Sequence, residues 1–224
     1  MEKVIEALLL CPIFKNLTEH DIIAVLYNIQ YVKQAFEKNQ IIFRTGDTAH
    51  HIAVILTGSI EIRKNLSSGN RLSIFQRTKG EMLGGSIMFS GNPQYPCEVV
   101  AKEKSELLFI DKPSVLQVLL KNATIASNIM RISADRIMQF ERRLELFSFY
   151  SIQKKIAFSL LYDFKCINGT VIIPFSKTTW SEYLNVSRTS LSRELNALCQ
   201  QGIIHMDGNR IVFLQKDLLE SLLW

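Results

Sequence analysis

The segment KTTWSEYLNVSRTSLSRELNALCQQG, residues 177–202, constrains the fold of this 224-residue chain more than any other stretch. Trp180 and Leu184 are four residues apart, the spacing that places two apolar side chains on one face of a helix. Asn185 then interrupts the pattern, and Ser187 can cap a second helix through its side-chain oxygen. The segment therefore predicts a helix-turn-helix, two helices joined by a tight turn.

The second predicted helix has one apolar face and one polar face. Leu191, Leu195 and Leu198 recur at helical spacing, and Gly202 follows the helix where a left-handed C-cap is expected. Arginine can bind O6 and N7 of guanine, small hydroxyl side chains let a helix enter the major groove, and the helix N-terminus could hold a backbone phosphate. A solvated helix whose arginines pair with Glu194 is the alternative. The candidate DNA-binding residues are Ser187, Arg188, Thr189, Ser190, Ser192 and Arg193.

The composition of the chain is consistent with a DNA-binding protein. Lys and Arg number 26 against 21 Asp and Glu, a net charge of +5, which fits a nucleic-acid partner if the positive charge is clustered. No apolar run reaches the roughly 18 residues that a membrane span requires, so we expect no membrane partner. The first residues lack the basic start and cleavage site of a signal peptide, which predicts a cytoplasmic protein.

Neither the cysteines nor the histidines are spaced as metal ligands. Cys11, Cys97, Cys166 and Cys199 are scattered without a CxxC pair, which argues against an iron–sulfur or structural zinc site and favours free, mostly buried thiols. His50 and His51 are adjacent and would point to opposite faces of an extended segment. No residue pair recommends haem. We therefore expect no metal and no cofactor.

The first half of the chain has the pattern of an all-β domain. Thr18 predicts the N-cap of a helix with an acidic first turn, and short apolar or alternating runs follow at intervals of roughly ten residues. The predicted strands cover residues 32–36, 41–43, 52–56, 60–63, 72–75, 99–101 and 107–110. The turn signals between them are Gly46-Asp47, Gly58, Ser68-Gly69-Asn70, Gly80-Glu81, Gly84-Gly85 and Gly91-Asn92-Pro93.

A long central helix is predicted next. Asp111-Lys112-Pro113 marks a helix start, and residues 122–147 contain no Gly or Pro, enough for a helix about 37 Å long at 1.5 Å per residue. Two apolar stripes on it indicate two packing partners, a second copy of the chain and the β domain; one buried face in a monomer is the alternative. The seam with steps of three and four is Met130, Ser133, Ile137, Phe140, Leu144 and Phe147, and the neighbouring stripe is Ile125, Ile129 and Ile132.

The C-terminal part predicts a winged helix. Ser151 starts another helix, and residues 171–175 form a short strand before the helix-turn-helix. After it, residues 203–206 and 210–214 form a hairpin across the Asp207-Gly208-Asn209 turn, followed by a small closing helix in 216–224. The fold class is α+β. We expect a jelly-roll-like β-roll in residues 1–112, a dimerisation helix in 113–148 and a winged helix-turn-helix in 149–224.

This order of parts resembles the Crp/Fnr family of bacterial transcription regulators over nearly the whole chain. The markers are Cys11-Pro12-Ile13-Phe14, Gly46-Asp47, Leu56-Thr57-Gly58-Ser59-Ile60, Gly80-Glu81-Met82-Leu83-Gly84, Val100-Ala101 and the run SRTSLSREL from Ser187 to Leu195. The resemblance implies a homodimer that places two recognition helices in successive major grooves of a palindromic site, with half-sites about 34 Å apart. It also implies base contacts by Arg188, Thr189 and Arg193. The family often has Glu where Thr189 stands, so we expect a different half-site.

The sensing residues depart from the family pattern. Where cyclic-nucleotide-binding members carry a Glu for the ribose and an Arg for the phosphate, this chain has Gly85 and Tyr95 or Pro96. A buried cyclic phosphate without that Arg would be an uncompensated anion, so binding of cyclic AMP or cyclic GMP in the usual mode is not expected. The cysteine cluster of iron–sulfur members is also missing. The candidate pocket for an uncharged or aromatic effector is Gly84, Gly85, Met88, Tyr95, Cys97, Ile137 and Phe140, although core packing alone would explain most of them.

We therefore expect a homodimeric, sequence-specific DNA-binding regulator controlled by an unidentified small effector, with RNA polymerase as a further partner if it activates transcription. A cyclic-nucleotide-responsive regulator with an atypical pocket is one alternative. A protein-interaction module whose winged helix does not bind DNA is another. An enzyme is not expected, and no catalytic residues are assigned, because the chain lacks a nucleophile–base pair, paired carboxylates and a phosphate-binding GxxxxGK[ST] loop.

Overall fold

The structure is a computed structural model that describes residues 1–65 and 71–224. The chain divides into two compact units, Met1–Asp135 and Arg136–Trp224, and each is described by itself. Among the described residues, no helix combines the length and the apolar composition needed to cross a bilayer.

The first unit begins with two short helices, α1 (Glu2–Leu10) and α2 (Glu19–Tyr27), joined through a 3-10 turn at Pro12–Phe14. The predicted cap of α2 is confirmed, since the Thr18 side chain accepts from Asp21 N while Asp21 accepts from Thr18 N at 2.9 Å. Helix α1 was not predicted, and it has no side-chain cap at Met1. Tertiary packing holds it instead, because Val4, Ile5, Ala7 and Leu8 are buried.

Two four-stranded antiparallel sheets follow among the described residues, and they share one apolar core. The strands are β1 (Tyr31–Phe36), β2 (Ile41–Phe43), β3 (His51–Thr57), β4 (Ser59–Asn65), β5 (Arg71–Thr78), β6 (Met82–Leu83), β7 (Glu98–Ala101) and β8 (Ser105–Asp111). One sheet has the order β1-β8-β3-β6 and the other the order β2-β7-β4-β5. Buried residues from both, such as Ile52 and Leu107 of the first and Ile60 and Val99 of the second, lie in the same cluster, which confirms the predicted β-roll.

Two details of the roll differ from the sequence prediction. The short strand β6 and the helix α3 (Gly85–Met88) were not predicted, because two- and four-residue elements carry no readable period. The predicted turn Ser68-Gly69-Asn70 lies outside the described residues.

Two helices, α4 (Lys112–Lys121) and α5 (Ala123–Ser148), follow the roll. A helix starts at Lys112, as predicted, and the Asp111 side chain caps it by accepting from Ser114 N at 2.9 Å. The Ser114 side chain first, and its backbone N–H second, hold the pKa of the Asp111 carboxyl below its usual value. On α5, Ile125 is buried in the roll core, and Ile129 and Ile132 pack against it.

The other apolar stripe of α5 is exposed within the chain. Met130 is 71% exposed, Ile137 60% and Phe140 64%, and Leu144 and Phe147 are also open to solvent. The two predicted stripes are therefore present, one packed on the roll and one uncovered.

The second unit contains a four-stranded sheet and a helical layer. The elements are α6 (Ile152–Phe158), β9 (Cys166–Ile167), β10 (Thr170–Ile172), α7 (Lys177–Tyr183), α8 (Arg188–Gln200), β11 (Ile204–Asp207), β12 (Arg210–Phe213) and α9 (Lys216–Ser221). A π-helical turn at Ser159–Asp163 follows α6. The sheet has the order β11-β12-β10-β9, and β11 and β12 form the predicted hairpin, with Asp207 opposite Arg210.

The predicted strand at residues 171–175 was wrong in its bounds. The strand β10 covers Thr170–Ile172 and pairs with β9 and β12, and β9 was not predicted. Pro174, which has no N–H to donate to a neighbouring strand, follows shortly after β10 ends.

Two glycines at predicted turns of the roll differ in the space around the position that a Cβ would take. Gly46 has φ +91° and no atom within 4 Å of the position that a Cβ would take, whereas a Cβ on Gly58 (φ +82°) would lie 2.6 Å from Lys104 O and 2.8 Å from Ser105 Cα. We expect G46A to cost about 1–2 kcal/mol for a left-handed L-residue, and G58A to cost about 2–5 kcal/mol because overpacking against the backbone adds to that strain. Urea denaturation monitored by fluorescence measures both. Equal costs would contradict the close approach at Gly58.

Candidate functional site

The N-terminus of α8 is built around Ser187. The Ser187 Oγ accepts from Ser190 N at 3.0 Å, as predicted for an N-cap, and it lies 2.9 Å from Thr189 Oγ1 and 2.8 Å from Ser190 Oγ. Asn185 adopts φ +52° in the preceding turn, a conformation that Asn tolerates better than most residues. These hydroxyls form a compact polar start to the helix.

The structure brings the predicted DNA-binding residues together on the side of α8 that faces away from the core. Leu191, Leu195 and Leu198 are fully buried, and Trp180 and Leu184 of the preceding helix lie in the same core. Arg188, Thr189 and Arg193 are exposed, whereas Ser190 and Ser192 are partly buried. The side chain of Arg188 makes no hydrogen bond or ion pair to any other residue in the described part of the chain.

Arg193 forms the ion pair that the sequence analysis considered as an alternative. Its Nε lies 3.1 Å from Glu194 Oε1, and Glu194 Oε2 accepts from Gln153 Nε2 of α6 at 3.0 Å. The Arg193 side chain is 72% exposed, so solvent screens the pair and it is worth at most about 1 kcal/mol. Because the pair uses Nε, the outer edge of the guanidinium points to solvent and can meet another acceptor.

Gln153 is a contributor to this surface that the sequence analysis missed. It is 41 residues from Glu194 in the chain, and a side-chain pair at that distance leaves no periodic signal. Gln153 donates to the Glu194 carboxylate, and that carboxylate contacts the guanidinium of Arg193 at one edge.

The candidate effector residues divide between the two units. Gly84, Gly85, Met88, Tyr95 and Cys97 belong to the first unit, and Ile137 and Phe140 lie on the exposed stripe of α5 in the second.

In the first unit, Tyr95 is buried, and its ring stacks on Phe43 at 4.2 Å between centroids. Its hydroxyl has no hydrogen-bond partner among the described residues, and burial, assisted by the Asp47 carboxylate, raises the pKa of Tyr95.

The two glycines next to Tyr95 leave little room for a side chain. A Cβ on Gly84 (φ +78°) would lie 2.7 Å from Tyr95 Oη and 2.8 Å from His51 O. A Cβ on Gly85 would lie 2.8 Å from Met82 Cε. Tyr95 and Met82 therefore fill the space beside the turn at Gly84-Gly85.

All four cysteines are free, as expected, but the expectation of mostly buried thiols was wrong. Cys11 is buried, Cys97 and Cys199 are partly buried, and Cys166, in the unpredicted strand β9, is exposed. Burial raises the pKa of Cys11 to about 12. Across residues 1–65 and 71–224, no cluster of three or more His, Cys, Asp or Glu side chains is placed to hold a metal ion.

A β-roll, a long helix and a winged helix-turn-helix with an arginine-bearing outer face define the class of DNA-binding transcription regulators. The cyclic nucleotide-binding domain family matches residues 33–122, and the Crp-like helix-turn-helix domain family matches residues 154–222. The chain belongs to the Crp/Fnr family of transcription regulators, as the sequence markers predicted.

Relatives align along nearly the whole chain. The anaerobic regulatory protein of Bacillus subtilis is 23% identical over 211 residues, which cover 92% of this chain and 88% of that protein. The cyclic AMP receptor protein of Thermus thermophilus is 22% identical over 212 residues, covering 94% and 96%. The structure of the Thermus thermophilus catabolite activator protein superposes with a TM-score of 0.55 at 20% identity, covering 95% and 98%, and this likeness confirms the fold.

Proposed function

We propose that the protein is a homodimeric regulator that binds a palindromic DNA operator through α8 and responds to a small effector other than cyclic AMP. The observation that carries the proposal is the outer face of α8, where Arg188, Thr189 and Arg193 are exposed above a buried leucine face. A 13-residue helix with small hydroxyl residues beside its arginines can lie deep in a major groove.

The base contacts are assigned by position on α8. Arg193 contacts a guanine with its outer edge while Glu194 holds Nε, and Arg188 contacts a base or phosphate nearer the helix start. Ser187 and Ser190 contact the backbone phosphate at the N-terminus of the helix, where the dipole favours an anion. Thr189 supplies a methyl and a hydroxyl, which changes the base preferred at that step.

Replacing Arg193 tests the DNA contact. We expect R193A to weaken binding to a site selected from a random duplex pool by about 5- to 150-fold, the equivalent of about 1–3 kcal/mol for one bidentate guanine contact. Fluorescence anisotropy on the selected and a scrambled duplex provides the measurement. R77A, which removes the same charge from β5 of the roll, should bind like the wild type. If the wild type binds neither duplex, the winged helix is a protein-docking module.

The exposed seam of α5 supports the homodimer. In a heptad register, Met130, Ile137 and Leu144 occupy a positions, and Phe140 and Phe147 occupy d positions. Apolar residues in such a continuous exposed stripe are covered in soluble proteins by a partner. A second copy of the same helix offers the same seam, so a parallel pair covers both.

Charge on the flanks of the seam favours the parallel orientation. Arg136 precedes an a position and Glu141 follows a d position, five residues further along, and both are exposed. In a parallel coiled coil these g and e positions face each other across the interface, so Arg136 of each copy pairs with the partner's Glu141. In an antiparallel pair the same arginines would face each other.

A charge swap tests this pairing. We expect R136E and E141R each to weaken dimerisation by about tenfold, because each replaces two attractive pairs in the dimer with two repulsive ones. An equimolar mixture of the two variants, or the double variant R136E/E141R, should restore the wild-type dissociation constant. Sedimentation equilibrium measures all of these.

The control for the charge swap is K121E, which reverses an exposed charge on α4 outside the seam and should leave the dimer unchanged. An antiparallel dimer would respond to neither single reversal in this way, and a wild-type monomer in dilute solution would contradict the homodimer itself.

The turn at Gly84-Gly85 supports an effector without a phosphate. Family members that bind cyclic nucleotides use a Glu and an Arg, which the resemblance places at Gly85 and Tyr95 or Pro96. Here Tyr95 is buried against Phe43, and even a Cβ at Gly85 would require Met82 to move. Met88 and Tyr95 are buried apolar and aromatic side chains, so a pocket that opened beside them would suit an uncharged or aromatic molecule.

Calorimetry tests this exclusion. We expect no heat of binding when cyclic AMP or cyclic GMP is titrated into the full-length protein, because a cyclic phosphate would lie buried without a cationic partner. The cyclic AMP receptor protein of Thermus thermophilus, titrated in parallel with cyclic AMP, is the positive control. A micromolar dissociation constant for this protein would instead establish a cyclic-nucleotide regulator with an atypical pocket.

In this proposal residues 1–112 are the sensor, 113–148 the dimerisation helix and 149–224 the DNA-binding domain. Effector binding changes the affinity for DNA by favouring one of two arrangements of sensor and dimerisation helix. This requires that the effector bind the two arrangements with different affinities. A regulator of bacterial transcription works in the cytoplasm, where it meets the operator and, as an activator, RNA polymerase.

A further inference from the structure

Arg143 near the C-terminal end of α5 is held between two aromatic rings. Its guanidinium carbon lies 4.7 Å from the ring centroid of Phe147 and 4.2 Å from that of Tyr183. Its Nη1 donates to Tyr183 O at 2.7 Å. Phe147 belongs to the same helix, whereas Tyr183 is the last residue of α7. One side chain therefore joins the end of the long helix to the first helix of the helix-turn-helix.

The contact meets α7 at its C-terminus, where backbone carbonyls lack helical donors. Arg143 supplies a donor to Tyr183 O, and Lys155 of α6 donates from Nζ to Leu184 O at 3.3 Å. Cations at this end of a helix also interact favourably with the helix dipole. The end of α7 is thus fixed from α5 and from α6 at once.

The ring of Tyr183 also lies beside Phe175, with 6.0 Å between the two ring centroids. Burial raises the pKa of Tyr183 and the Asp163 carboxylate raises it further, whereas Arg143 lowers it. Leu146, one turn from Arg143, is fully buried in the core of this unit. The contact therefore has little freedom to shift.

This end of α7 leads directly into the recognition helix. Only the turn at Asn185–Ser187 separates Leu184 from the first residue of α8, and Val186 N donates to Ser181 O at 3.0 Å across it. Any rotation of α7 on α5 is therefore passed to α8. Phe147 lies on the seam of α5 as well as on the guanidinium, so the dimer interface and the Arg143 contact share a residue.

We infer that Arg143 is a positioning residue that fixes the helix-turn-helix on α5 and thereby sets the spacing of half-sites that the dimer accepts. The inference rests on the proposed pairing of two chains through α5. In that dimer the position of each α8 relative to the twofold axis depends on the angle between α5 and α7, which the Arg143 contact holds. Arginine suits the role because its planar group stacks on rings while its N–H groups donate, whereas lysine has neither the plane nor the fork.

Spacing preference is the measurement that separates positioning from affinity. A site is first selected by the wild-type full-length protein from a random duplex pool, and its half-site is then placed as inverted repeats with spacers changed one base pair at a time. The quantity is the ratio of affinities for the best spacing and for a spacing one base pair longer. We expect R143A to lower this ratio about tenfold, the effect of losing a charge-assisted hydrogen bond and two ring contacts.

Three controls make the result decisive. R142A removes a neighbouring exposed arginine whose Nη1 donates to Tyr162 O at 3.3 Å, and it should keep the wild-type ratio. R143A should bind a single half-site with the wild-type affinity, since α8 itself is intact. R143K, which keeps the charge in case R143A fails to fold, should also lower the ratio, because lysine cannot stack as a plane.

Each remaining outcome counts against the inference. It is overturned if R143A keeps the wild-type ratio, if R142A lowers the ratio equally, or if single half-site binding falls as far as binding to the full site. It is also overturned if R143A does not fold and R143K keeps the ratio. If the wild type shows no spacing preference or remains a monomer, the proposed dimer is wrong and the inference is wrong with it. If the wild type does prefer one spacing and R143A keeps that preference, only the inference about Arg143 is wrong.

Discussion

The constraint on which the structure depends is that α5 carries apolar residues on two faces. In this helix of 26 residues, Ile125, Ile129 and Ile132 pack on the roll, whereas the stripe that includes Met130, Ile137 and Phe140 is exposed. Burying an apolar side chain of this size contributes about 1.5–3 kcal/mol, so covering the second stripe would stabilise an association substantially. Homodimerisation, as proposed, is the association that uses it, and it also supplies the twofold symmetry that a palindromic operator matches.

The helix-turn-helix depends on α5 in a second way. Its leucines and Trp180 bury the inner faces of α7 and α8, which leaves the arginines and hydroxyls on the outside. Polar contacts surround this apolar core, including Arg143 to Tyr183 O, Lys155 to Leu184 O and Gln153 to Glu194. Hydrogen bonds depend on direction, so these contacts add to the apolar packing the orientation that we infer for the helix-turn-helix.

The sequence predicted those features of the molecule that depend on residues close together in the chain. The caps at Thr18, Asp111 and Ser187 and the left-handed glycines at turns were readable, because each depends on residues within three or four positions. Features set by distant partners were not readable: α1 has no cap of its own, and the bounds of β10, predicted at residues 171–175, follow from its pairing with β12 near the end of the chain. Helical spacing placed Arg188, Thr189, Ser192 and Arg193 on the outer face of α8, and of these the two arginines and Thr189 are exposed while Ser192 is partly buried. The contacts that aim it, such as Gln153 to Glu194 across 41 residues, carry no signal in a single sequence.

The turn at Gly84-Gly85 in the roll follows the same division between local and distant causes. The glycines at Gly84 and Gly85 mark a turn in the sequence, but their surroundings show why the turn excludes larger residues: Tyr95 Oη and His51 O crowd one position and Met82 crowds the other. Tyr95 keeps a buried hydroxyl without a partner among the described residues, which costs about 1–3 kcal/mol relative to a bonded one. A buried donor of this kind, beside apolar surface and without a cation, can be satisfied by a neutral acceptor but offers nothing to balance a phosphate. The chemistry of this turn therefore supports the proposed effector without a phosphate, in a fold whose relatives include a cyclic AMP receptor protein.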